Sequence, residues 1–273
     1  MELLTFVEFH TPALERDEAR HNLMLGLLAR LLNNAEPNPD VRLWTLGASG
    51  QCAMQTSSRN AIILGELDER QCRAFADETL GLNYPGVIGF DPIVFWFVRG
   101  AVERGVRFLE PIPQQICALR QRPIYPEVGG AARVVNRADV DLFEQWLTAF
   151  LREAAPHDPL PTREGVERTA AAGNYRFWIV DGEPVAMAGI VRRTRHGGAI
   201  AGVYTPPALR NRGYAAAVTA ATVDSIFAEG RTMACLYSDL RNTASNRCYA
   251  KIGFKPVCRS AAAFVLSWPR SQN

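Results

Sequence analysis

Val203-Tyr204-Thr205-Pro206-Pro207 leads through Ala208-Leu209 into Arg210-Asn211-Arg212-Gly213-Tyr214-Ala215, and further on stands Asn242-Thr243-Ala244-Ser245-Asn246-Arg247-Cys248-Tyr249-Ala250-Lys251-Ile252-Gly253-Phe254. The run Ala199 to Tyr204 is short and apolar, as a buried strand is. Pro206 and Pro207 cannot donate to a sheet ladder, so the strand ends there. From Tyr214 to Ala228, the apolar residues Ala217, Val218, Ala221, Val223, Ile226 and Phe227 predict an amphipathic helix, with Gly230 as its stop. The Arg210–Ala215 turn therefore opens a helix. The first N–H groups of a helix have no intrahelical partner and sit at the positive end of its dipole. Gly213 carries no Cβ to keep a phosphate away from them. Arg210 and Arg212 are further donors for such a group. The turn suits a pyrophosphate, although a solvated basic turn capping an ordinary helix has the same composition.

Arg231 to Tyr237 reads as the next strand and Asp239 to Asn242 as a turn. Asn242 and Tyr249 lie seven residues apart, two helical turns, and so share a face. Taken alone, Asn242 suits a helix N-cap and Tyr249 a half-buried aromatic. Gly253 ends this helix, and Phe254 begins a last strand.

The ordered combination resembles the GNAT superfamily of acetyl-CoA-dependent N-acyltransferases. Arg210 to Ala215 matches its R/Q-x-x-G-x-G/A motif, with Ala215 in the final position. Asn242, Ser245, Tyr249, Lys251, Gly253 and Phe254 match its N-x-x-[AS]-x-x-x-Y-x-K-x-G-F block. The resemblance is specific over 199–258 and extends over 131–268. It implies an α/β fold with a central, mostly antiparallel twisted sheet flanked by helices. It also implies that Val203, Tyr204 and Thr205 expose backbone groups to the pantetheine arm and thioester carbonyl of acetyl-CoA. The pyrophosphate would then rest on Arg210, Asn211, Arg212, Gly213, Tyr214 and Ala215. Asn242, Ser245 and Asn246 complete the cofactor site, and Tyr249 occupies the family's general-acid position. Many relatives carry a glutamate on the strand before the glycine turn, but Ala199 to Tyr204 holds no carboxylate. The base is left among Asp239, Glu183 and a water chain. Asp239 is preferred, although closing the turn before Asn242 is its ordinary role.

Composition fits a globular enzyme. The 273 residues are 48% hydrophobic and 21% charged, with a net charge of +2, too balanced to suggest a nucleic-acid partner. No apolar run approaches the length of a membrane span. Cys52, Cys72, Cys117, Cys235, Cys248 and Cys258 are widely spaced with no C-x-x-C, which reads as reduced thiols in a cytoplasmic protein. Four histidines with no pair at ligand spacing argue against a metal. The acceptor is expected to be a small-molecule or peptide amine. Monomer and homodimer both stay open, as does a catalytically silent acyl-CoA-binding module.

Gln121 to Gly130 holds two prolines and Gly129-Gly130, the mark of a linker. It divides the chain into 1–125 and 126–273. In the second part, Ala132 to Val135 reads as a strand. Asp139 to Glu153 and Thr162 to Ala172 read as helices, and Tyr175 to Arg193 as a hairpin turning at Asp181-Gly182-Glu183. In the first part, Asp17 to Leu32 reads as a helix. Three short strands (41–46, 51–55, 61–64), helices at 68–80 and 91–104, and a further strand within 106–119 follow. This order echoes the second part. At the place of the glycine turn the reading puts Tyr84-Pro85-Gly86-Val87-Ile88-Gly89-Phe90-Asp91, which has no arginine. The first part is thus expected to be a smaller, degenerate GNAT-like domain that does not bind cofactor, with an unrelated α/β domain as the alternative.

Overall fold

The computed structural model describes residues 2–33 and 39–269. In chain order the first elements are α1 (Leu3–Leu14), α2 (Asn22–Leu32), β1 (Arg42–Thr45), β2 (Cys52–Gln55), β3 (Ile62–Leu64), α3 (Glu69–Glu78), β4 (Gly86–Phe90), α4 (Ile93–Glu103), β5 (Arg107–Phe108) and β6 (Ile112–Leu119). There follow β7 (Ala131–Val134), α5 (Val140–Ala154), α6 (Arg163–Ala171), β8 (Tyr175–Val180), β9 (Glu183–Arg193), β10 (Gly197–Tyr204), α7 (Tyr214–Ala228), β11 (Met233–Asp239), α8 (Thr243–Ile252) and β12 (Lys255–Ser267).

The chain forms two compact units. The first is not simply the stretch ahead of the linker. It comprises residues 1–116 together with 237–242 and 256–273. The reason is pairing: β12 runs antiparallel to β4, with Ser260 opposite Phe90 and Phe264 opposite Gly86. A strand from late in the chain therefore completes a sheet built early in it. A boundary read from linker composition cannot register such an exchange. Within this unit β1, β2 and β3 form an antiparallel meander, and β3 pairs parallel with β4. α3 is the crossover between those two parallel strands. Phe75, Tyr84, Val94 and Phe97 fill the core beneath α3 and α4, and Phe6, Leu14, Met24 and Leu28 fill the one beneath α1 and α2.

The second unit holds 117–236 and 243–255. β7, β8, β9 and β10 are successively antiparallel, and β10 pairs parallel with β11 across the α7 crossover. Phe143, Trp146, Phe177 and Met187 make the core under α5 and α6. Ala217, Val218, Ala220, Val223 and Ile226 of α7 join Ala188, Ile190, Ile200 and Leu236 in the other.

Three elements depart from the sequence reading. α1 is unanticipated: it runs through Pro12, a residue that reads as a helix breaker. The helix expected from Asp17 begins only at Asn22, after a 3-10 turn at Glu15–Asp17. α7 is not amphipathic, because every residue from Ala217 to Val223 is buried. Its small side chains let it sit deep, and Thr219 and Thr222 satisfy their hydroxyls on the carbonyls of Ala215 and Val218, each at 2.7 Å. Among the described residues no helix is long and apolar enough to cross a membrane, and no group of His, Cys, Asp and Glu is placed to hold a metal ion.

Candidate active site

The site of the second unit is built where β10 ends. Its parallel ladder with β11 runs from Gly197 opposite Met233 to Ile200 opposite Leu236, while β10 continues to Tyr204. On its other side a bulge interrupts the pairing with β9: Ala201 faces Gly189 and Tyr204 faces Met187, so Gly202 and Val203 together oppose Ala188 alone. Gly202 takes φ +65° there, a left-handed backbone that a side chain resists. Backbone amides freed from a ladder at a strand end are the donors a polarised carbonyl or a pantetheine amide can use.

Beyond the strand, Thr205 is buried at 8% exposure and its Oγ1 has no hydrogen-bond partner. A 3-10 turn over Pro207–Leu209 leads to Arg210. Asn211 at φ +63° and Gly213 at φ +85° alternate in hand with the residues between and around them. Such a chain path gathers successive N–H groups into an anion-binding hollow. Gly213 is the N-cap of α7, and no side chain caps that helix. Its first amides are therefore left for solvent or a ligand.

The two arginines of the turn behave differently from the expectation of two free phosphate donors. Arg210 folds back: its Nε donates to the Thr205 carbonyl at 2.9 Å and its Nη2 meets the Glu153 carboxylate at 2.6 Å. It braces the turn from within. Arg212 and Asn211 are exposed, and Arg212 makes one long bond, 3.4 Å, to the Ala208 carbonyl. Arg212 is the cation with a free charge. The glycine also has a second reason to be glycine. A Cβ on Gly213 would stand 2.8 Å from Cγ1 of Val128, because the Pro126–Val128 stretch packs against the turn. That stretch is tied down on both sides, by Tyr125 to Asp224 at 2.6 Å and by Trp178 Nε1 to the Gly129 carbonyl at 3.0 Å. The segment read as a linker is thus a wall of the candidate cofactor site.

Ser245, Asn246 and Tyr249 lie on α8. Burial pushes the Tyr249 phenol well above its ordinary value, and the nearby thiols of Cys248 and Cys117 push the same way; the Ser245 hydrogen bond opposes them. The ring lies edge-on to Phe254 at 6.2 Å between centroids. Tyr249 is therefore protonated and firmly so.

Asp239 and Asn242 belong to the 237–242 stretch of the first unit. Burial raises the Asp239 carboxyl, but bonds from the Arg241 side chain and its backbone N–H, at 3.0 Å and 2.8 Å, bring it below its ordinary value. Its carbonyl also accepts from the Asn242 N–H at 3.0 Å. It closes the turn and holds its protons weakly, so its geometry is that of the structural role. Glu183 is exposed at the start of β9.

The FR47-like protein family matches residues 178–262, the span from β8 to β12. A Drosophila protein of solved structure superposes with a TM-score of 0.71 at 13% identity, covering 97% of both chains. A GCN5-related N-acetyltransferase from Kribbella flavida superposes at 0.61 with 17% identity, over 90% of this chain and 95% of that one. Another from Sphaerobacter thermophilus gives 0.59 at 17% identity, over 87% and 84%. No curated protein matches the sequence at a significant level. The chain has the fold of these GCN5-related N-acetyltransferases.

Proposed function

We propose that this protein is an N-acyltransferase that moves an acetyl group from acetyl-CoA to a primary amine by direct attack in a ternary complex. The observation that carries the reading is the uncapped N-terminus of α7 beside the unpaired end of β10. The amides from Arg212 to Ala215 and the Arg212 side chain would hold the pyrophosphate, as helix N-termini hold anions. The edge of β10 from Val203 to Thr205 would take the pantetheine arm, with Ser245 and Asn246 contributing along it. The Gly202 and Val203 amides would polarise the thioester carbonyl.

Tyr249 would serve the departing thiolate. A thiol near ~8.5 and a phenol already above ~10 make full proton transfer uphill. A tightly held phenolic hydrogen suits donation of a hydrogen bond to the thiolate better than surrender of the proton. An acceptor amine with a pKa near ~10.4 is almost wholly protonated at neutral pH, so a proton must leave before attack. Asp239, held low by Arg241, is a weak base for this. A water chain is the better candidate, with Glu183 second.

We propose further that the protein works in the cytoplasm on a small-molecule or peptide amine. The first unit, on this reading, is a degenerate GNAT-like half that binds no cofactor. Calorimetry tests the binding reading directly: one acetyl-CoA per chain is expected, and none or two would overturn it. A silent acyl-CoA-binding module would bind equally well but release no thiol with any amine.

A further inference from the structure

Thr205 stands one residue beyond the last ladder position of β10, Tyr204 opposite Met187. Pro206 and Pro207 follow, so the next two residues bring no N–H that could hold its carbonyl. Leu209 and Arg210 spend their backbone N–H groups inside the 3-10 turn, on the carbonyls of Pro206 at 2.8 Å and Pro207 at 3.3 Å. A carbonyl that has left its ladder needs a donor from elsewhere. The Arg210 side chain supplies it, with Nε donating to the Thr205 carbonyl at 2.9 Å.

The other edge of the same guanidinium is fixed as well. Its Nη2 donates to the Glu153 carboxylate at 2.6 Å, the short length of a charge-assisted bond. Glu153 lies in the last turn of α5. The Arg210 Cζ also stands 5.9 Å from the centroid of the Tyr204 ring, within cation–π range. Trp146 of α5 packs on that ring from 6.1 Å. One side chain, held at three points, therefore ties the end of β10 and the glycine turn to α5. Arg212, two residues on, has no such ties beyond its long bond to Ala208.

We infer that Arg210 is a positioning residue rather than a phosphate ligand, and that Glu153 holds it in that role. Together they fix the Thr205 carbonyl, and with it the Val203–Thr205 edge taken by the pantetheine arm. The phosphates are left to the open amides of α7 and to Arg212. This rests on the acyltransferase reading, and the test separates the two.

Calorimetry on the full chain compares acetyl-CoA with 3′-phospho-ADP, the part of the cofactor that lacks the arm. Arg210→Gln should weaken acetyl-CoA by about 10-fold, the worth of a bond from a charged donor, and leave 3′-phospho-ADP almost unchanged. Arg212→Gln should weaken both alike. Arg210→Lys should behave as Arg210→Gln does, because an ammonium keeps the charge but lacks the planar fork that spans two partners. Glu153→Gln should weaken acetyl-CoA by about 3-fold, as exposed ion pairs do, and add nothing once Arg210→Gln is present. Both side chains are exposed, so the variants should keep the wild-type fold, which circular dichroism checks. Three results would each overturn the inference: affinity restored by Arg210→Lys, an equal loss for 3′-phospho-ADP in Arg210→Gln, or tighter acetyl-CoA binding in Glu153→Gln as Arg210 is released to the phosphates. Failure of the wild type to bind acetyl-CoA would defeat the acyltransferase reading instead. The Arg210 Nε–H proton then decides. Its exchange with solvent should be slow and should quicken in Glu153→Gln; the same rate in both chains overturns the inference.

Discussion

α3 and α7 occupy the same place in their units, each crossing between two parallel strands, yet they begin in opposite ways. α3 is closed by its own side chains. Asp68 accepts from the Gln71 N–H at 2.8 Å while Gln71 returns a bond to the Asp68 N–H at 3.0 Å, a complete capping box. Two residues earlier, Glu66 is held down to about 2, first by its bond to His21, with Arg20 adding at 2.6 Å and burial opposing. The turn Gly65-Glu66-Leu67-Asp68 thus carries two carboxylates, Asp68 on the helix amide of Gln71 and Glu66 on Arg20 and His21. α7 begins with Gly213 and no capping side chain, next to the exposed Arg212. A helix start that already holds its anion has nothing to offer a phosphate. One that leaves its amides open does. The topology is shared, and a handful of turn residues divides an architectural helix from one suited to binding.

The comparison also corrects the expected counterpart of the glycine turn. Residues 86–90 form β4, not a turn before a helix. The structural equivalent of Arg210–Ala215 is the acidic stretch between β3 and α3.

Giving α7 the start that α3 has is the strongest way to break the contrast. Gly213→Asp should abolish acetyl-CoA binding, through the negative charge, the left-handed φ and the Val128 contact together. Combining it with Val128→Ala removes the steric part; binding recovered in that double variant would show that charge is not what decides. Tyr249→Phe comes next. General-acid or hydrogen-bond help of this kind is worth ~10²–10⁴ in rate. Single-turnover transfer should slow by that factor with acetyl-CoA affinity barely changed. A wild-type single-turnover rate would reduce Tyr249 to a packing residue.

Asp68→Ala removes a cap, and unfolding free energy should fall by about 1 kcal/mol. Acetyl-CoA stoichiometry should remain at one; a second binding event would mean that the cap alone had been hiding a cofactor site in the first unit. The smallest effect belongs to Glu66. Its folded pKa, about 2, lies below the ordinary 4.5. Its contribution is therefore full above about pH 4.5 and is lost as pH falls toward 2. The gap in thermal midpoint between the wild type and Glu66→Gln should close over that window. A gap that persists unchanged at pH 2 would mean that the carboxylate charge is not its source.

Much of this was legible in the residues themselves. The strand-turn-helix at 199–228 and the Tyr249 helix follow from local signals: prolines that stop a ladder, a glycine that opens a helix, a period that places side chains on a face. The three-stranded meander of the first half was legible for the same reason. The Arg210 ion pair with Glu153 was not, because its partner lies far away in the chain. Nor was the depth of α7, since a run of alanines reads as amphipathic or buried according to what surrounds it.

The sequence by itself determined the strand, turn and helix at 199–228 and the position of Tyr249 on its helix, because each depends on residues close together in the chain. Only the tertiary structure decided which parts of the chain make each unit, since the pairing of β12 with β4 joins stretches far apart in sequence. It alone turned the supposed linker into a wall against Gly213. It also set Asp239 in the grip of Arg241, where it is a poor base. And it left the Thr205 hydroxyl buried without a partner among the described residues: whether a polar group is satisfied depends on every atom within reach of it, and no local pattern records that.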